Sequence, residues 1–200
     1  MTQNQNCKAL VEGMLFVAEG PLSLDRLASL LEEFDRSVIA AAIEELRTGC
    51  QEAERGIQLV EVAGGFQFRS RPDHAEFLRR LHKGRTAKFS QSAMESLSII
   101  AYRQPVTRAE IEYLRGVDCG GVLKTLLERK LIRILGKKDV PGRPIVYGTT
   151  REFLETFNLK NLASLPTLKE IQDLAEPPVF EQQAELPLLA GDPPQIEETD

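Results

Sequence analysis

The chain repeats itself at a spacing of about 84 residues, and this repeat constrains the fold more than any other feature of the sequence. Residues 21–30 align with residues 105–114: each segment reads proline, an apolar residue and Ser or Thr, and then two apolar residues three positions apart. This spacing predicts a short amphipathic helix that begins at the hydroxyl of Ser23 or Thr107. Glu110 follows Thr107 by three residues and completes a capping box in the second copy. The chain is therefore expected to build one small unit twice.

The same kinds of element flank both aligned segments. An apolar helix precedes each segment, and a further helix and a pair of strands follow it. These elements are predicted at residues 9–19, 35–52, 57–62 and 66–70 in the first copy and at 90–103, 118–130, 131–135 and 145–149 in the second. Gly64-Gly65 is the predicted turn of the first hairpin, whereas Val140–Arg143 places Pro and Gly as a type II turn requires. Three helices followed by a two-stranded hairpin form a winged helix. The predicted fold class is mainly α with small β-hairpins (α+β), arranged as two tandem winged-helix domains.

Charge and proline content separate the C-terminal segment from this folded part. Residues 166–200 hold one lysine against nine acidic residues, together with six of the eleven prolines. Such a segment buries too little apolar surface to offset its ordering entropy, which predicts a disordered, acidic, proline-rich tail. The alternative is a short motif, at Val179-Phe180 or Leu186–Leu189, that docks on a partner. The expected boundaries are 1–83 for the first domain, 84–165 for the second and 166–200 for the tail.

The residues that most enzymes need are scarce. Gly120–Thr125 resembles a phosphate-binding loop, but its lysine comes three residues after the last glycine, whereas the motif has lysine directly after it. The two histidines, His74 and His82, fall in a basic helix predicted for residues 73–83 and are expected at solvated positions there. The three cysteines form no C-x-x-C pair. We therefore expect no catalytic residue, no cofactor and no metal site.

Because no apolar run reaches 18 residues and the first residues lack a secretory signal, we expect no membrane association and a cytoplasmic location.

A winged helix raises the expectation of DNA binding, which depends on what the third helix presents to base edges. In the first copy that helix, residues 37–46, carries alanines and glutamates, and in the second it offers Lys124 and Thr125. Neither is typical of a helix that reads bases. The basic residues lie between the copies and in the second hairpin: Arg69, Arg71, Arg79, Arg80, Lys83, Arg85, Lys88, Lys137, Lys138 and Arg143. They form either a solvated charged surface or a weak, nonspecific contact to the DNA backbone.

The first helix has more apolar surface than one small domain can bury. Its apolar residues spread over roughly 160° of the helix, with Phe16 on the far side. They are Leu10, Val11, Met14, Leu15, Val17 and Ala18. Either the neighbouring domain covers the surplus, or two copies of the chain pair through it. In the second copy, Tyr102, Tyr113 and Tyr147 are either core residues or anchors for a partner.

The second copy also resembles a known family. The segments that carry the resemblance are Ile100–Ile111, Arg115–Val117, Leu126–Arg129, Lys138–Thr150, Phe153-Leu154 and Leu165-Pro166. They resemble segregation and condensation protein B, the ScpB family, and the resemblance covers about residues 8–168. Cys119-Gly120 departs from the family, which more often has small polar residues after the position of Asp118.

The resemblance implies two winged helices per chain, a homodimer formed through the N-terminal domains, and a kleisin partner, ScpA, held largely by the C-terminal domains. Through ScpA the dimer would regulate the Smc ATPase in chromosome condensation and partition at the nucleoid, with ATP bound by Smc. We predict dimer contacts at Leu10, Met14, Phe16 and Val17, and kleisin contacts at Tyr102, Tyr113, Arg143 and Tyr147. The alternative is a tandem winged-helix transcriptional regulator that binds DNA.

Overall fold

The computed structural model describes residues 3–51, 54–81, 89–167 and 170, and of residues 3–5 only the backbone. The described residues up to Leu165 belong to one compact unit. The predicted boundary between the two winged-helix domains lies outside the described residues, and so does nearly all of the predicted tail, including its candidate docking motifs. Within the described residues, none of the helices is long and apolar enough to cross a lipid bilayer.

The N-terminal repeat contains three helices and one hairpin. Its elements are α1 (Gln3–Val17), α2 (Leu24–Leu30), α3 (Arg36–Gly49), β1 (Ile57–Val62) and β2 (Gly65–Ser70). The predicted cap of α2 is confirmed, because the N–H of Arg26 donates to Oγ of Ser23 at 3.2 Å. α1 begins before the predicted Ala9, since the buried Cys7 continues its apolar face toward the N-terminus.

The turn between β1 and β2 differs from the prediction. Ala63 and Gly64 form it, with positive φ angles of 50° and 71°, whereas Gly65 already belongs to β2. Gly65 must be glycine for another reason: a Cβ there would lie 2.7 Å from the backbone carbonyl carbon of Leu22. Leu22 in turn forms a β-bridge with Phe66, so the chain entering α2 rests against the hairpin.

The C-terminal repeat contains the same elements and two more. They are α5 (Gln91–Arg103), β3 (Val106–Thr107), α6 (Arg108–Arg115), α7 (Gly120–Glu128), β4 (Ile132–Lys137), β5 (Ile145–Thr149) and α8 (Arg151–Thr156). The predicted capping box is confirmed: the N–H of Thr107 donates to Oε2 of Glu110 at 2.7 Å, and the N–H of Glu110 donates to Oγ1 of Thr107 at 3.3 Å. The sequence did not predict β3 and α8. β3 pairs with β5, which gives an antiparallel sheet of order β3-β5-β4 and makes the chain a mixture of helices and small sheets, α+β.

Two element boundaries in this repeat differ from their predicted positions. α7 begins at Gly120 rather than at Asp118, because the carboxylate of Asp118 accepts the N–H of Gly120 at 3.1 Å and also binds Arg108. β4 continues to Lys137, past its predicted end at Leu135. The reason is a bulge at Leu135, which keeps the following residues paired with β5.

The connection between the repeats contains α4 (Ala75–Arg79), which is shorter than the basic helix predicted for residues 73–83. A 3-10 turn at Pro72–His74 precedes it. The N–H of Arg80 donates to the carbonyl of Phe77, three residues back, and this tighter bond ends the helix. The predicted basic helix was therefore too long, and its last two residues lie outside the described part of the chain.

Each repeat has its own hydrophobic core. The N-terminal core consists of buried residues of the helices and β1: Cys7, Val11, Leu15, Leu27, Leu31, Ile39, Ala42, Ile43, Leu46 and Leu59. The C-terminal core consists of Ala93, Leu97, Ile100, Ala101, Val106, Ile111, Cys119, Leu123, Leu126, Leu131, Ile132 and Phe153. Because the two sets share no residue, each repeat buries its own apolar faces.

The end of the C-terminal repeat contacts the first hairpin through residues 155–160, which we name the bridging segment. The N–H groups of the turn residues Ala63 and Gly64 donate to consecutive carbonyl oxygens of this segment, each at 2.9 Å. Arg69 of β2 adds a hydrogen bond of 3.0 Å to the carbonyl of Glu155. The two repeats are therefore joined by backbone hydrogen bonds as well as by the chain that connects them.

Candidate functional site: two apolar grooves

An apolar depression lies along α1 and both ends of α2, and we name it the α1 groove. Its volume is about 590 Å³, and the residues that line it are all apolar: Ala9, Leu10, Gly13, Met14, Val17, Ala18, Leu22 and Leu30. Val17 is 78% exposed and Leu30 is 44% exposed. A contiguous patch of large apolar side chains in water marks a surface that a partner can bury.

Three of the four predicted dimer residues meet in the α1 groove. Leu10, Met14 and Val17 line it, and Met14 also packs against the N-terminal core. Phe16 does not line the groove, although it is 80% exposed. Since each helical residue turns by about 100°, Phe16 points away from its neighbour Val17, as predicted from the sequence.

A second depression, the α6 groove, lies between the end of α5 and α6. Its volume is about 510 Å³, and its lining residues are Arg103, Pro105, Val106, Ala109, Glu110, Tyr113 and Leu114. Tyr113 is almost fully exposed, and Leu114 is half exposed. Arg103 and Glu110 give this groove a charged rim, which the α1 groove lacks. Apolar residues surrounded by charged ones are typical of a protein–protein interface.

The four predicted kleisin-binding residues do not meet at one place. Tyr113 lines the α6 groove. Tyr147 packs partly buried against the C-terminal core and pairs with Val106, which also lines the groove. Tyr102 is exposed on α5, and Arg143 is exposed in the turn between β4 and β5; neither lines the groove. The structure therefore connects two of the four residues to the α6 groove.

The two grooves share part of their position when the two repeats are aligned. The sequence alignment equates Leu22 with Val106 and Leu30 with Leu114, and each of these residues lines the groove of its own repeat. Sequence reasoning missed the part that these residues play in the grooves. It placed Leu30 and Leu114 on the amphipathic face of a short helix, but the structure leaves them 44% and 50% exposed. The repeat itself is the signal that could have found them, because it predicts the same surface twice.

The carboxylate of Glu110 fixes the charge on the rim of the α6 groove. Its Oε1 lies 2.7 Å from Nζ of Lys138, and its Oε2 accepts the N–H of Thr107 at 2.7 Å and the hydroxyl of Thr107 at 2.9 Å. These bonds lower the pKa of Glu110 from 4.5 to about 2, and the bond from Lys138 has the largest effect. Glu110 is therefore ionised at neutral pH, and it ties the second hairpin to the groove.

Metal-ligating and nucleophilic side chains are the other candidates for chemistry in the described part of this chain. No group of three or more His, Cys, Asp or Glu that could hold a metal ion occurs there. Burial raises the pKa of the Cys7 and Cys119 thiols, so neither is a ready nucleophile. His74 is exposed on the surface, and His82 lies outside the described residues. What the arrangement can do chemically is to bury apolar surface against another molecule.

A family model described as "Segregation and condensation complex subunit ScpB" matches residues 9–168. This range contains both grooves and all of the two repeats except the first residues of α1. The chain belongs to the ScpB family. By the description of that family, its members are subunits of the segregation and condensation complex.

Several ScpB proteins match the chain over most of its length. Segregation and condensation protein B of Syntrophotalea carbinolica is 56% identical over 169 residues, which cover 84% of this chain and 85% of that protein. The protein of the same name from Moorella thermoacetica is 47% identical over 170 residues, 84% of this chain and 86% of that one. Among solved structures, one is a dimer of an ScpB N-terminal domain complexed with a ScpA peptide. It is 42% identical over a match that covers 38% of this chain and 95% of that chain, with a TM-score of 0.37.

Proposed function

We propose that this chain is a non-catalytic subunit of a condensin-like Smc–kleisin complex: a homodimer that binds the kleisin ScpA and regulates Smc in chromosome condensation and partition. It acts in the cytoplasm, at the nucleoid. One observation carries the proposal: a chain of the ScpB family exposes an apolar groove beside the second helix of each of its two repeats. Paired docking surfaces fit a subunit that joins other polypeptides.

Each repeat, in this proposal, is a winged helix. The order of three helices followed by an antiparallel hairpin supports this assignment in both repeats, and so does the separate core of each. The N-terminal domain, 1–83, carries the dimer contact, the C-terminal domain, 84–165, binds the kleisin, and 166–200 is an acidic, disordered tail.

The α1 groove is the surface through which two chains pair. A two-fold axis brings the same patch of both subunits together, and a patch made only of aliphatic residues is complementary to itself. Burying one exposed side chain such as Val17 completely contributes about 1.5–3 kcal/mol. Leu10, Met14 and Val17 form the centre of the contact. Phe16 joins it if the partner helix extends around α1.

The C-terminal domain binds the kleisin with the α6 groove and with single residues of α5, of β5 and of the loop before β5, but not with β4. Tyr113 offers a large, exposed anchor at the groove, with Tyr102 and Tyr147 on the elements beside it. Arg143 supplies a positive charge for an acidic residue of the bound segment. A kleisin segment held in this way loses conformational freedom, and this restriction is how the subunit acts on Smc, which it reaches through ScpA.

The structure of α7 argues against a transcriptional regulator that reads operator DNA. α7 begins with Gly120-Gly121, and its single cation, Lys124, lies 3.9 Å from Glu128. Such a helix has no unpaired cation to offer to base edges, where Arg, Asn and Gln usually read sequence.

Binding to ScpA from the same organism tests the proposal. We expect the full chain to co-purify with ScpA, and calorimetry to find a Tyr113→Ser variant weakened by about tenfold, or about 1.4 kcal/mol. Phe77→Ser is the matched control, because Phe77 is 63% exposed and lines neither groove. Failure of the unaltered chain to bind ScpA, or an equal loss in both variants, would contradict the proposal.

A further inference from the structure

The second hairpin, formed by β4, β5 and the loop between them, projects from its repeat. Every residue from Arg133 to Arg143 is exposed, whereas most residues of the first hairpin are buried or half-buried. β4 also lies at the edge of its sheet, with β5 on one side and no further strand on the other among the residues that the structure describes. A segment this exposed packs little against its own fold, so its side chains are available to another molecule.

Positive charge accumulates on this hairpin. Residues 129–144 contain six Lys and Arg residues, counting Arg143 of the loop, against one acidic residue. Acidic side chains elsewhere in the repeat are held by other cations, as Glu112 is by Arg108 at 2.6 Å and Glu128 is by Lys124 at 3.9 Å. Most of the positive charge of the hairpin is therefore not neutralised from within the repeat.

Three of these cations lie on β4 or on the turn that leads into it. The side chains of Lys130, Arg133 and Lys137 form no ion pair and no hydrogen bond with any residue that the structure describes. Lys138 differs from them, because it is bound to Glu110. An exposed row of unpaired cations is the surface that a polyanion neutralises most readily.

The strand register places two of these cations on opposite faces of β4. Arg133 pairs with Gly148 and Lys137 pairs with Ile145. Because Gly148 and Ile145 are an odd number of residues apart on β5, they lie on opposite faces of the sheet, and so do the residues paired with them. Two residues four positions apart on a regular strand would share a face. The bulge at Leu135 adds one residue to β4 and so places Lys137 on the face opposite Arg133. The edge of β4 is thus flanked by a cation on each face, about 13 Å apart along the strand.

We propose that the edge of β4 binds the phosphate backbone of duplex DNA without reading its sequence. A strand edge with a cation on each face fits a DNA groove, whose two walls are rows of phosphates. Contacts from Lys and Arg to phosphates supply affinity that is independent of sequence. The turn of the first hairpin is not free to contact DNA in the same way, because the N–H groups of Ala63 and Gly64 there are bonded to the bridging segment. The inference does not rest on kleisin binding.

Fluorescence anisotropy with the full chain and a labelled duplex of about 30 base pairs tests this site. We expect binding to the unaltered chain to weaken steeply between about 50 and 200 mM salt. The Arg133→Ala/Lys137→Ala variant should bind about tenfold more weakly at the lowest salt concentration. Its salt slope should be shallower by about 1.8, because each phosphate that a cation neutralises contributes about 0.9 to the slope.

Arg26→Ala/Arg55→Ala is the control, since it removes two exposed cations from the N-terminal repeat. Its affinity should stay within about twofold of the unaltered chain.

Three outcomes would overturn the inference. The first is an unchanged affinity and salt slope in the β4 variant, with its thermal unfolding also unchanged. The second is strong preference for one duplex sequence over another. The third is equal binding of a poly-glutamate peptide of matched charge, which would assign the surface to an acidic protein. Because Arg133 and Lys137 line neither groove, ScpA binding by the same variant should be unaffected, so failure here is distinguishable from failure of the proposed function.

Discussion

Lys138 of the second hairpin and Glu110 of α6 form an ion pair, with Nζ of the lysine 2.7 Å from Oε1 of the carboxylate. The same carboxylate closes the capping box with Thr107. One side chain therefore begins a helix, borders the α6 groove and holds the base of the hairpin loop. This arrangement connects the kleisin-binding surface that we propose to the hairpin that we assign to DNA.

The lowered pKa of Glu110 makes part of the stability depend on pH. Because the folded state lowers this pKa from 4.5 to about 2, the ionised carboxylate stabilises the fold above about pH 4.5, and the contribution is lost as the pH falls toward 2. We expect Glu110→Gln, which can still cap the helix, to be less stable than the unaltered chain at pH 6, by less than about 1 kcal/mol because the side chain is partly exposed. Urea unfolding from pH 6 to pH 2 should show the difference shrink. A constant difference across this range would contradict the assigned role.

The hydrogen bonds of Arg69 should hold the two repeats together. Its guanidinium donates to the carbonyl of Glu155 at 3.0 Å and to Oδ1 of Asn158 at 3.2 Å. We expect Arg69→Ala to lower the free energy of unfolding by about 1–2 kcal/mol and to speed amide hydrogen exchange at Ala63 and Gly64. Exchange measured by mass spectrometry checks this. Unchanged protection at the turn would mean that the bridging segment is held without Arg69.

Gly65 should tolerate no side chain. A Cβ at Gly65 would lie 2.7 Å from the backbone of Leu22, whereas a Cβ at Gly121 of α7 would have no heavy atom within 4 Å. We expect Gly65→Ala to destabilise the chain by about 1–3 kcal/mol, because backbone must move to relieve the contact. Gly121→Ala should be neutral or stabilise the chain by up to about 1 kcal/mol. Urea unfolding of both variants compares them, and a neutral Gly65→Ala would show that the hairpin and the chain before α2 are not in close contact.

The features that the sequence predicted well are those that depend on near neighbours. Ser90 accepts the N–H of Ala93 at 3.2 Å and begins α5, as expected for a Ser before an apolar helix. The type II turn at Val140–Arg143 is confirmed by a hydrogen bond of 2.8 Å between its ends and by the φ angle of 83° at Gly142. Capping and turn formation involve residues two or three positions apart, so the local sequence contains the information.

The features that the sequence did not predict depend on contacts between distant residues. β3 exists because Val106 pairs with Tyr147, some forty positions away, and no local pattern in two residues indicates a strand. The bridging segment meets the turn at Ala63 for the same kind of reason. For the α1 groove, the sequence indicated surplus apolar surface on the first helix, but the packing of α2 decides that Leu30 belongs to it.

The oligomeric state of the chain tests most directly the claim that its exposed apolar grooves meet other polypeptides. Light scattering at tens of micromolar should give about twice the chain mass of 22.3 kDa. Met14→Glu and Leu10→Glu should each give folded monomers, because a charge in the α1 groove cannot be buried against its own copy. Val117→Glu, which alters a residue 53% exposed outside both grooves, should remain dimeric. A monomeric unaltered chain, or α1-groove variants that remain folded dimers, would contradict the account.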